Sequence, residues 1–359
     1  RLRSLGSQAG AGGVITNSSA TPATFVVGKY DLGFYGSVQG ANVNFASVAG
    51  SGSLSISSLQ TYGGTTYVSG FRLYLRDEAE LRNTSAINLS YGRLEVNNGD
   101  NSNVQLLNRI NDAAPISLYG GSLLFNGLVN TYYSERLGAL SLLEGDSDIR
   151  VTGSGSAFWR ADLLAPSLTR SAGTTVNFTG SGRLGQPEFA SRIIFDTPIV
   201  PASRGLIGAW AIANNEHYAA YNPVTGVGII GDGGFAGYDA DFGAGKFTQL
   251  VAQPDVNASF GSNAVTTLAA GPTTAAVLRF AGDAHHQLAF ASSSDVLTLG
   301  LGGVLRSANN RAVSVGTTAV RGVLTSSLPE LIVYSNNTAT QNFTGAAANA
   351  VVLGSTTIT

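Results

Sequence analysis

Residues 50–75 read GSGSLSISSLQTYGGTTYVSGFRLYL and contain two runs of alternating apolar and polar residues, joined by a Gly-Gly-Thr-Thr turn. Successive side chains of a strand point to opposite faces, so Leu54 and Ile56 share an inward face, as do Leu73 and Leu75 after the turn. One such pair of strands cannot enclose a core alone. Many pairs must stack on one another, and the stretch therefore predicts a β-solenoid.

The same pattern recurs along the chain at a spacing typical of a parallel β-helix. AINLSYGRLEV, PISLYGGSLLF and ALSLLEGDSDIRV each place two aliphatic residues before a glycine and two apolar residues after it. Their first aliphatic positions, Ile87, Ile116 and Leu140, lie 29 and 24 residues apart, which is a length that one coil can use. Because no long stretch has helical periodicity, we predict an all-β parallel β-helix of roughly 13 to 15 coils.

The alternating pattern is interrupted once, over residues 199–250, where aromatic residues are frequent. We predict solenoid coils over residues 1–198, an irregular aromatic- and glycine-rich coil or lateral flap over 199–250, and coils continuing the same body over 251–359. We expect the aromatic residues to form a small core of that segment, with a surface that stacks on sugars or on a neighbouring subunit as the alternative. They are Trp210, Tyr218, Tyr221, Phe235, Tyr238, Phe242 and Phe247.

Composition excludes several classes of function. Charged residues make up 12% of the chain, the net charge is −2 and the basic residues are scattered singly, so nucleic acid is not an expected partner. Cysteine and methionine are both absent, which removes disulfides, thiolate catalysis and zinc–thiolate sites. The longest apolar stretch, residues 205–213, is far shorter than the ~20 residues of a membrane-spanning helix. We expect no membrane insertion of this segment.

A signature within residues 50–75 combines a glycine-rich lead, an alternating strand, a tyrosine, Gly-Gly-Thr-Thr and a second strand. Its members are Gly52, Leu54, Ile56, Tyr62, Gly63, Gly64, Thr65, Thr66, Val68 and Gly70. With the neighbouring segments GGVITNSSATPATFVVG and SAGTTVNFTG, the signature resembles that of giant bacterial surface proteins with autotransporter-associated β-strand repeats. The resemblance implies a right-handed parallel β-helix at the bacterial cell surface, with a structural or adhesive role and no catalysis.

Acidic pairs are the residues on which an enzymatic alternative would depend. β-Helices also serve as polysaccharide lyases and hydrolases, which need carboxylates that converge on one face. The i, i+2 spacing of Asp146 and Asp148 puts both on one side of a strand. We interpret them as a solvated corner, and a carbohydrate-binding or carbohydrate-cleaving β-helix stays as the alternative, with these acids or the loop 232–241 as its working groups.

Metal and cofactor sites have weak signals. Asp232, Asp239 and Asp241 lie in the glycine-rich loop DGGFAGYDADFG and are weak calcium candidates, because their spacing matches neither the twelve-residue helix-loop-helix site nor a tandem glycine-aspartate array. The three histidines, His217, His285 and His286, have no partner at metal spacing and no nucleophile beside them. We therefore predict no cofactor and no catalytic residue.

Together these patterns predict a non-enzymatic segment of a longer secreted precursor, part of an extracellular surface fibre or passenger. The expected partner is the chain itself, because the C-terminal stretch 346–359 reads as an uncharged alternating strand with no charged or proline-rich cap. Glycans or other surface proteins are the further partners that such a role allows.

Overall fold

Every regular element in the described part of the chain is a β-strand. The structure, a computed structural model, describes residues 12–28, 32–48, 52–99, 104, 106–128, 130–153, 159–251, 263–282, 284–307, 312–317, 319–335, 341–343, 346–347 and 350–354. Within those ranges no helix occurs, and hence none that is long and apolar enough to cross a membrane.

The strands are short and follow one another through the whole described sequence. They are β1 (Val14–Thr16), β2 (Ala23–Gly28), β3 (Leu32–Phe34), β4 (Ser37–Gly40), β5 (Val43–Val48), β6 (Ser53–Ile56), β7 (Thr61–Tyr62), β8 (Thr65–Ser69), β9 (Arg72–Leu75), β10 (Ala86–Ser90), β11 (Arg93–Asn97), β12 (Ile116–Tyr119), β13 (Ser122–Asn126), β14 (Tyr132–Arg136), β15 (Leu140–Glu144), β16 (Asp146–Thr152), β17 (Arg160–Ala165), β18 (Leu168–Arg170), β19 (Thr175–Gly180), β20 (Arg183–Leu184), β21 (Ala190–Phe195), β22 (Ala211–Ala213), β23 (His217–Asn222), β24 (Gly226–Ile229), β25 (Phe247–Val251), β26 (Asn263–Thr267), β27 (Thr273–Ala281), β28 (His285–Ala289), β29 (Val296–Arg306), β30 (Val313–Val315), β31 (Val323–Ser326), β32 (Glu330–Ser335), β33 (Gln341–Phe343), β34 (Ala346–Ala347) and β35 (Ala350–Gly354).

The chain divides into two compact units. The first consists of Arg1–Ile199 and Asn222–Gly228, and the second of Val200–Tyr221 and Ile229–Thr359. Mostly parallel sheets stack as a β-solenoid of about 11 turns, which confirms the predicted fold class.

Three sides of the first unit are built from parallel sheets. Sheet I joins β3, β6, β9, β11, β13, β16 and β19, and sheet II joins β2, β5, β8, β10, β12, β15 and β18. The third side holds β1, β4 and β7, followed by sheet III, in which β14, β17, β21 and β20 pair in that order. Each coil therefore contributes one strand to sheet I and one to sheet II before the chain returns to its starting edge.

The inward side chains of sheet I lie opposite one another from coil to coil. They stand in parallel register, and each is at most 1% exposed. Burying a side chain of this size contributes about 1.5–3 kcal/mol. The alternation in the sequence thus becomes a continuous apolar row, as predicted. The row consists of Leu54, Leu73, Leu94, Leu123, Ile149 and Phe178.

The number of turns is smaller than predicted. We predicted roughly 13 to 15 coils, whereas the structure has about 11. Coil length does not explain the difference, because Asn44 and Thr65 of neighbouring coils are 21 residues apart and Asp148 and Asn177 are 29 apart, close to the spacings in the sequence. The reason is that a long segment after β21 adds no parallel coil before β25 begins.

In the second unit, two parallel sheets follow a short antiparallel segment. Sheet IV pairs β25, β27, β29, β31 and β34, and the long strand β29 also pairs with β32, which in turn pairs with β35. Sheet V pairs β26, β28, β30 and β33. The predicted open C-terminal edge falls partly on residues 348–349 and 355–359, which lie outside the described residues. Core residues shared by these sheets include Leu278, Phe280, Leu297 and Leu299.

The segment with broken alternation contains the antiparallel pair β22 and β23. Asn214 and Asn215 connect them with φ of 51° and 61°, and the N–H of Glu216 donates to Ala213 O at 3.1 Å, which is the geometry of a type I′ turn. The aromatic residues of this segment do not form the separate small core that we expected. Tyr218 and Phe247 are buried in one cluster with Val277, Leu305 and Ile332 of the parallel strands.

Candidate functional site

The corner between sheet II and sheet I repeats one backbone conformation in successive coils. Gly70, Tyr91, Gly120 and Gly145 occupy it, with φ of 59°, 50°, 65° and 68°. The N–H of Gly70, of Tyr91 and of Gly120 each donates to a carbonyl of the next coil, at 2.9, 3.1 and 2.7 Å. Glycine adopts this left-handed conformation without steric cost. Tyr91 is the one residue of the four that carries a side chain there.

Tyr91 is both strained and exposed. A non-glycine residue in the left-handed region costs about 1–2 kcal/mol, and the Tyr91 side chain is 70% exposed. Its ring lies against Gly120, because a Cβ added to Gly120 would stand only 2.7 Å from Tyr91 Cε1. The burial of this ring therefore does not explain why the strain is tolerated.

A groove of about 450 Å³ runs beside this corner on the outer face of sheet I. Its lining includes Arg72, Tyr91 and Arg93, and also Ser53 and Ser122, which carry hydroxyl groups. The groove crosses the strands β6, β9, β11 and β13, so it extends from coil to coil. Adjacent strands of a sheet lie about 4.8 Å apart.

Two arginines lie side by side in the groove, on neighbouring strands. Arg93 lies directly opposite Arg72 in the parallel register of β11 and β9. Arg72 donates to Tyr74 Oη at 2.6 Å, and its guanidinium carbon lies 5.6 Å from the centre of that ring. Neither arginine forms an ion pair with any residue that the structure describes. Like charges placed directly opposite each other in a sheet destabilise it, so the two guanidinium groups repel each other.

Carboxylates on the same face are partly or wholly buried. Glu95 is 8% exposed and accepts a hydrogen bond from Asn97 Nδ2 at 3.3 Å. Burial raises the pKa of Glu95, although the charges of Arg93, Arg72 and Arg150 oppose the shift. The outer face of sheet I therefore holds its negative charge close to the backbone and its positive charge at the surface.

Asp146 and Asp148, the acids of the enzymatic alternative, lie on one side of β16, as their spacing predicted. Asp146 Oδ1 accepts from Thr175 Oγ1 at 2.6 Å, and Asp148 Oδ1 accepts from Asn177 Nδ2 at 3.0 Å. Burial raises the pKa of Asp148, and a hydrogen bond from Thr179 opposes the shift. Both acids are thus bonded to the next coil, which makes them part of the stack as well as of the corner.

The residues of the predicted repeat signature have structural places. A Cβ on Gly64 would stand 2.3 Å from Val43 O, so the turn requires glycine for the close approach of two coils. Tyr62 Oη bonds to Thr66 Oγ1 at 2.6 Å, and Thr66 bonds to Thr84 at 2.8 Å. Burial raises the pKa of Tyr62. Leu54, Ile56 and Val68 lie in the core, and Gly63 packs on Ala41. The N–H of Thr65 donates to Asn44 Oδ1 at 2.9 Å. Gly70 forms the corner, and Gly52 borders the groove.

The loop of the weak calcium candidates holds ion pairs. Lys246 Nζ lies 3.5 Å from Asp239 Oδ1 and 3.3 Å from Asp241 Oδ1. Burial pushes the pKa of Asp239 up, but the hydrogen bond and charge of Arg204 hold it below its usual range. Among the contacts of the described residues, the carbonyl oxygen of Asp232 accepts the N–H of Phe235 in a turn. Nowhere in those residues do three or more histidine or acidic side chains gather to hold a metal ion.

The histidines are also separated. His217 has its pKa lowered to about 4, by burial and by the charge of Arg279. His286 is buried and bonds to Thr266 Oγ1 at 3.0 Å, whereas the neighbouring His285 accepts from the N–H of Ala312. Adjacent positions of β28 thus point to opposite faces, as the sequence predicted.

The groove was not predicted as a unit. Because Leu73 and Leu75 point inward, the alternation puts Arg72 and Tyr74 on the outer face. It does not show that Arg72, Tyr91 and Arg93 come together. A signal was present, because SYGR has tyrosine where the neighbouring repeats YGGS and EGDS have glycine. Scans against protein-family models, curated proteins and solved structures find no match to this chain.

Proposed function

We infer that this chain is a non-enzymatic structural segment of an extracellular bacterial surface fibre or autotransporter-like passenger. The observation that carries the proposal is the row of buried side chains in sheet I, which stand in register through six successive strands. A stack of this kind lengthens by adding coils along one axis. The resemblance of the repeat signature to autotransporter-associated β-strand repeats favours the same role and an extracellular location.

Polar side chains support the stack in the same way. Gln60 Nε2 donates to Gly36 O at 3.0 Å, and Gln60 Oε1 accepts from the N–H of Val38 at 2.8 Å, so a buried amide joins two coils. Asn111 Nδ2 donates to Thr84 O at 3.0 Å and joins the next pair. Buried polar groups that are satisfied in this manner favour one register over its alternatives.

Electron microscopy of the purified chain tests the self-association that the proposal includes. Over a concentration series we expect filaments that lengthen as the concentration rises. Monodisperse short particles at the highest concentration would contradict end-to-end association. Labelling of intact source cells by an antibody against the chain, with loss of the label after external protease treatment, tests the location.

Turnover assays test the absence of catalysis. The chain is incubated with neutral and acidic polysaccharides, and new reducing ends and unsaturated uronide products are measured. We expect the signal to equal that of heat-denatured protein. Turnover that Asp148→Asn abolishes would overturn the proposal in favour of the carbohydrate-cleaving alternative.

A further inference from the structure

The outer groove of sheet I combines two features that the stack itself does not require. One is the pair of opposing arginines, which repel each other and form no ion pair with a described residue, although the charges of Glu95 and Asp148 on the same face attract Arg93 from a longer range. The other is Tyr91, which holds a left-handed backbone conformation at a corner where the equivalent residues are glycine. Strained residues that persist at a surface point to function, because the same fold is available without the strain.

The chemistry of the groove matches a carboxylated sugar. A guanidinium group binds a carboxylate through two parallel hydrogen bonds. An exposed aromatic ring offers an apolar face with a polar edge, which suits the face of a pyranose ring. Ser53 and Ser122 line the same groove and add hydroxyl groups that can exchange hydrogen bonds with sugar hydroxyls.

The shape of the groove favours a polymer over a single small anion. The groove crosses neighbouring strands, so its cationic groups are arranged along the direction in which the coils stack. Glu95 lies two positions from Arg93 on the same face of β11, and the whole chain has a net charge of −2. A nucleic acid needs a broad basic surface, which a groove with two arginines beside a buried acid does not provide.

We propose that the groove formed by Arg72, Tyr91 and Arg93 binds an acidic polysaccharide, with the arginines on its uronate carboxylates and the tyrosine on a sugar face. This inference does not rest on the structural role proposed above. If the chain stacks but binds no glycan, only the structural role stands. If it binds glycan but does not stack, only the proposal for the groove stands.

Equilibrium binding to polygalacturonate tests the proposal, with the full chain and at low ionic strength because exposed charge pairs are screened by salt. Fully methyl-esterified polygalacturonate is the matched ligand, since it keeps the sugar backbone and removes the charge. We expect the acid form to bind at least tenfold more tightly than the ester. Equal binding of the two forms, or binding of neither, would overturn the proposal.

Substitutions separate the groove from general electrostatic attraction. Arg93→Gln and Arg72→Gln are expected to weaken binding about tenfold each. Arg136→Gln removes the same charge from an exposed ion pair on sheet III and is expected to leave binding unchanged. If Arg136→Gln weakens binding as much as Arg93→Gln does, the groove has no special role.

Tyr91→Gly gives a readout that a merely structural residue would not give. The substitution restores the glycine of the equivalent corners, so we expect a higher melting temperature together with weaker binding. Tyr67→Ala, which removes a 38% exposed tyrosine from the outer face of sheet II, is the control and should not change binding. Unchanged binding by Tyr91→Gly would remove the tyrosine from the site.

Single-stranded DNA and dextran sulfate identify the class of ligand. We expect both to bind more weakly than polygalacturonate at equal salt. Tighter binding of DNA would assign the groove to nucleic acid, and tighter binding of dextran sulfate would assign it to sulfated polymers. Either result overturns the uronate proposal.

Discussion

Two outer faces of the first unit carry arginines on neighbouring parallel strands, and they differ in whether the arginine that lies opposite in the register finds a carboxylate there. On sheet III, Asp162 lies opposite Arg192, whose Nε and Nη2 donate to its two oxygens at 2.8 and 2.5 Å. On sheet I, Arg93 lies opposite Arg72, with no such partner. The fold is therefore able to balance its charge ladders, and the groove is a place where it does not.

The difference arises from register. Parallel stacking puts equivalent positions of successive coils side by side, so opposite charges at those positions become a ladder and like charges become a repulsive pair. Asp162 also lies 3.2 Å from Arg160 Nε of its own strand, which gives it two cationic neighbours. Sheet III shows the arrangement that stabilises such a face, in which opposite charges are paired between neighbouring strands. The imbalance on sheet I is consistent with a ligand that supplies the missing charge.

The interior of the first unit is a third environment for a charged group, after the two outer faces. It gives the largest expected effect on stability. Glu135 is fully buried, and its Oε1 accepts the N–H groups of Arg109 and Ile110 at 3.0 Å each. Burial raises its pKa to about 8, although these hydrogen bonds and the charge of Arg109 oppose the shift. Burial therefore favours the protonated carboxyl group more strongly in the folded chain than in the unfolded chain.

The sign of the pH dependence follows from this raised pKa. In the unfolded chain Glu135 ionises near its ordinary pKa of 4.5, so its favourable contribution to folding is complete below that pH and is lost as the pH rises through about 8. We expect the free energy of unfolding of the first unit to fall by about 3–4 kcal/mol between pH 5 and pH 8 from this group. The urea midpoint at each pH measures it.

Tryptophan fluorescence assigns this change to one unit. The chain has two tryptophans: Trp159 lies in the first unit and Trp210 in the second. In a Trp210→Phe background the signal reports the first unit alone. Glu135→Gln keeps an oxygen at the Oε1 position and cannot ionise, so it should match the parent at pH 5 and exceed it at pH 8. Parallel pH profiles for the two proteins would contradict the raised pKa.

The paired face gives the next largest effect. Asp162→Asn leaves the guanidinium of Arg192, whose side chain is 14% exposed, without its counter-charge. We expect a loss of about 2 kcal/mol, somewhat below the range for a fully buried pair. The matched control is Asp196→Asn, which breaks the exposed pair with Arg136 and should cost no more than about 0.5 kcal/mol. Similar losses for both variants would mean that burial does not distinguish the two pairs.

Much of the fold could be predicted from the sequence, because alternation is a local property. The inward positions Leu54, Leu73 and Leu94 follow from period two alone, and the structure buries all three. The antiparallel turn at Asn214 and Asn215 was missed, although two consecutive asparagines are a known signal for positive φ at both positions of a type I′ turn.

The groove could not be predicted in the same way, because it depends on which coils become neighbours. Arg72 and Arg93 meet only if the intervening coil has one particular length, and the coils of this chain range from 20 to 30 residues between bonded partners. The same uncertainty hid the contact between Arg109 and Glu135, which are 26 residues apart. The sequence around a polar residue also does not show whether the next coil supplies a hydrogen-bond or ion-pair partner for it.

The smallest expected effect is the one that decides the comparison. Arg93→Gln removes a charge that forms no ion pair with a described residue, and its repulsion of Arg72 is offset by its longer-range attraction to Glu95 and Asp148. The free energy of unfolding should therefore change by less than about 0.5 kcal/mol. Arg192→Gln removes a charge from the same kind of strand position on sheet III, where it is bonded to Asp162, and should destabilise the first unit by about 2 kcal/mol. Urea midpoints in the Trp210→Phe background compare the two directly. A loss from Arg93→Gln as large as that from Arg192→Gln would mean that the groove arginines belong to the stack, and the case for a ligand would then rest on Tyr91 alone.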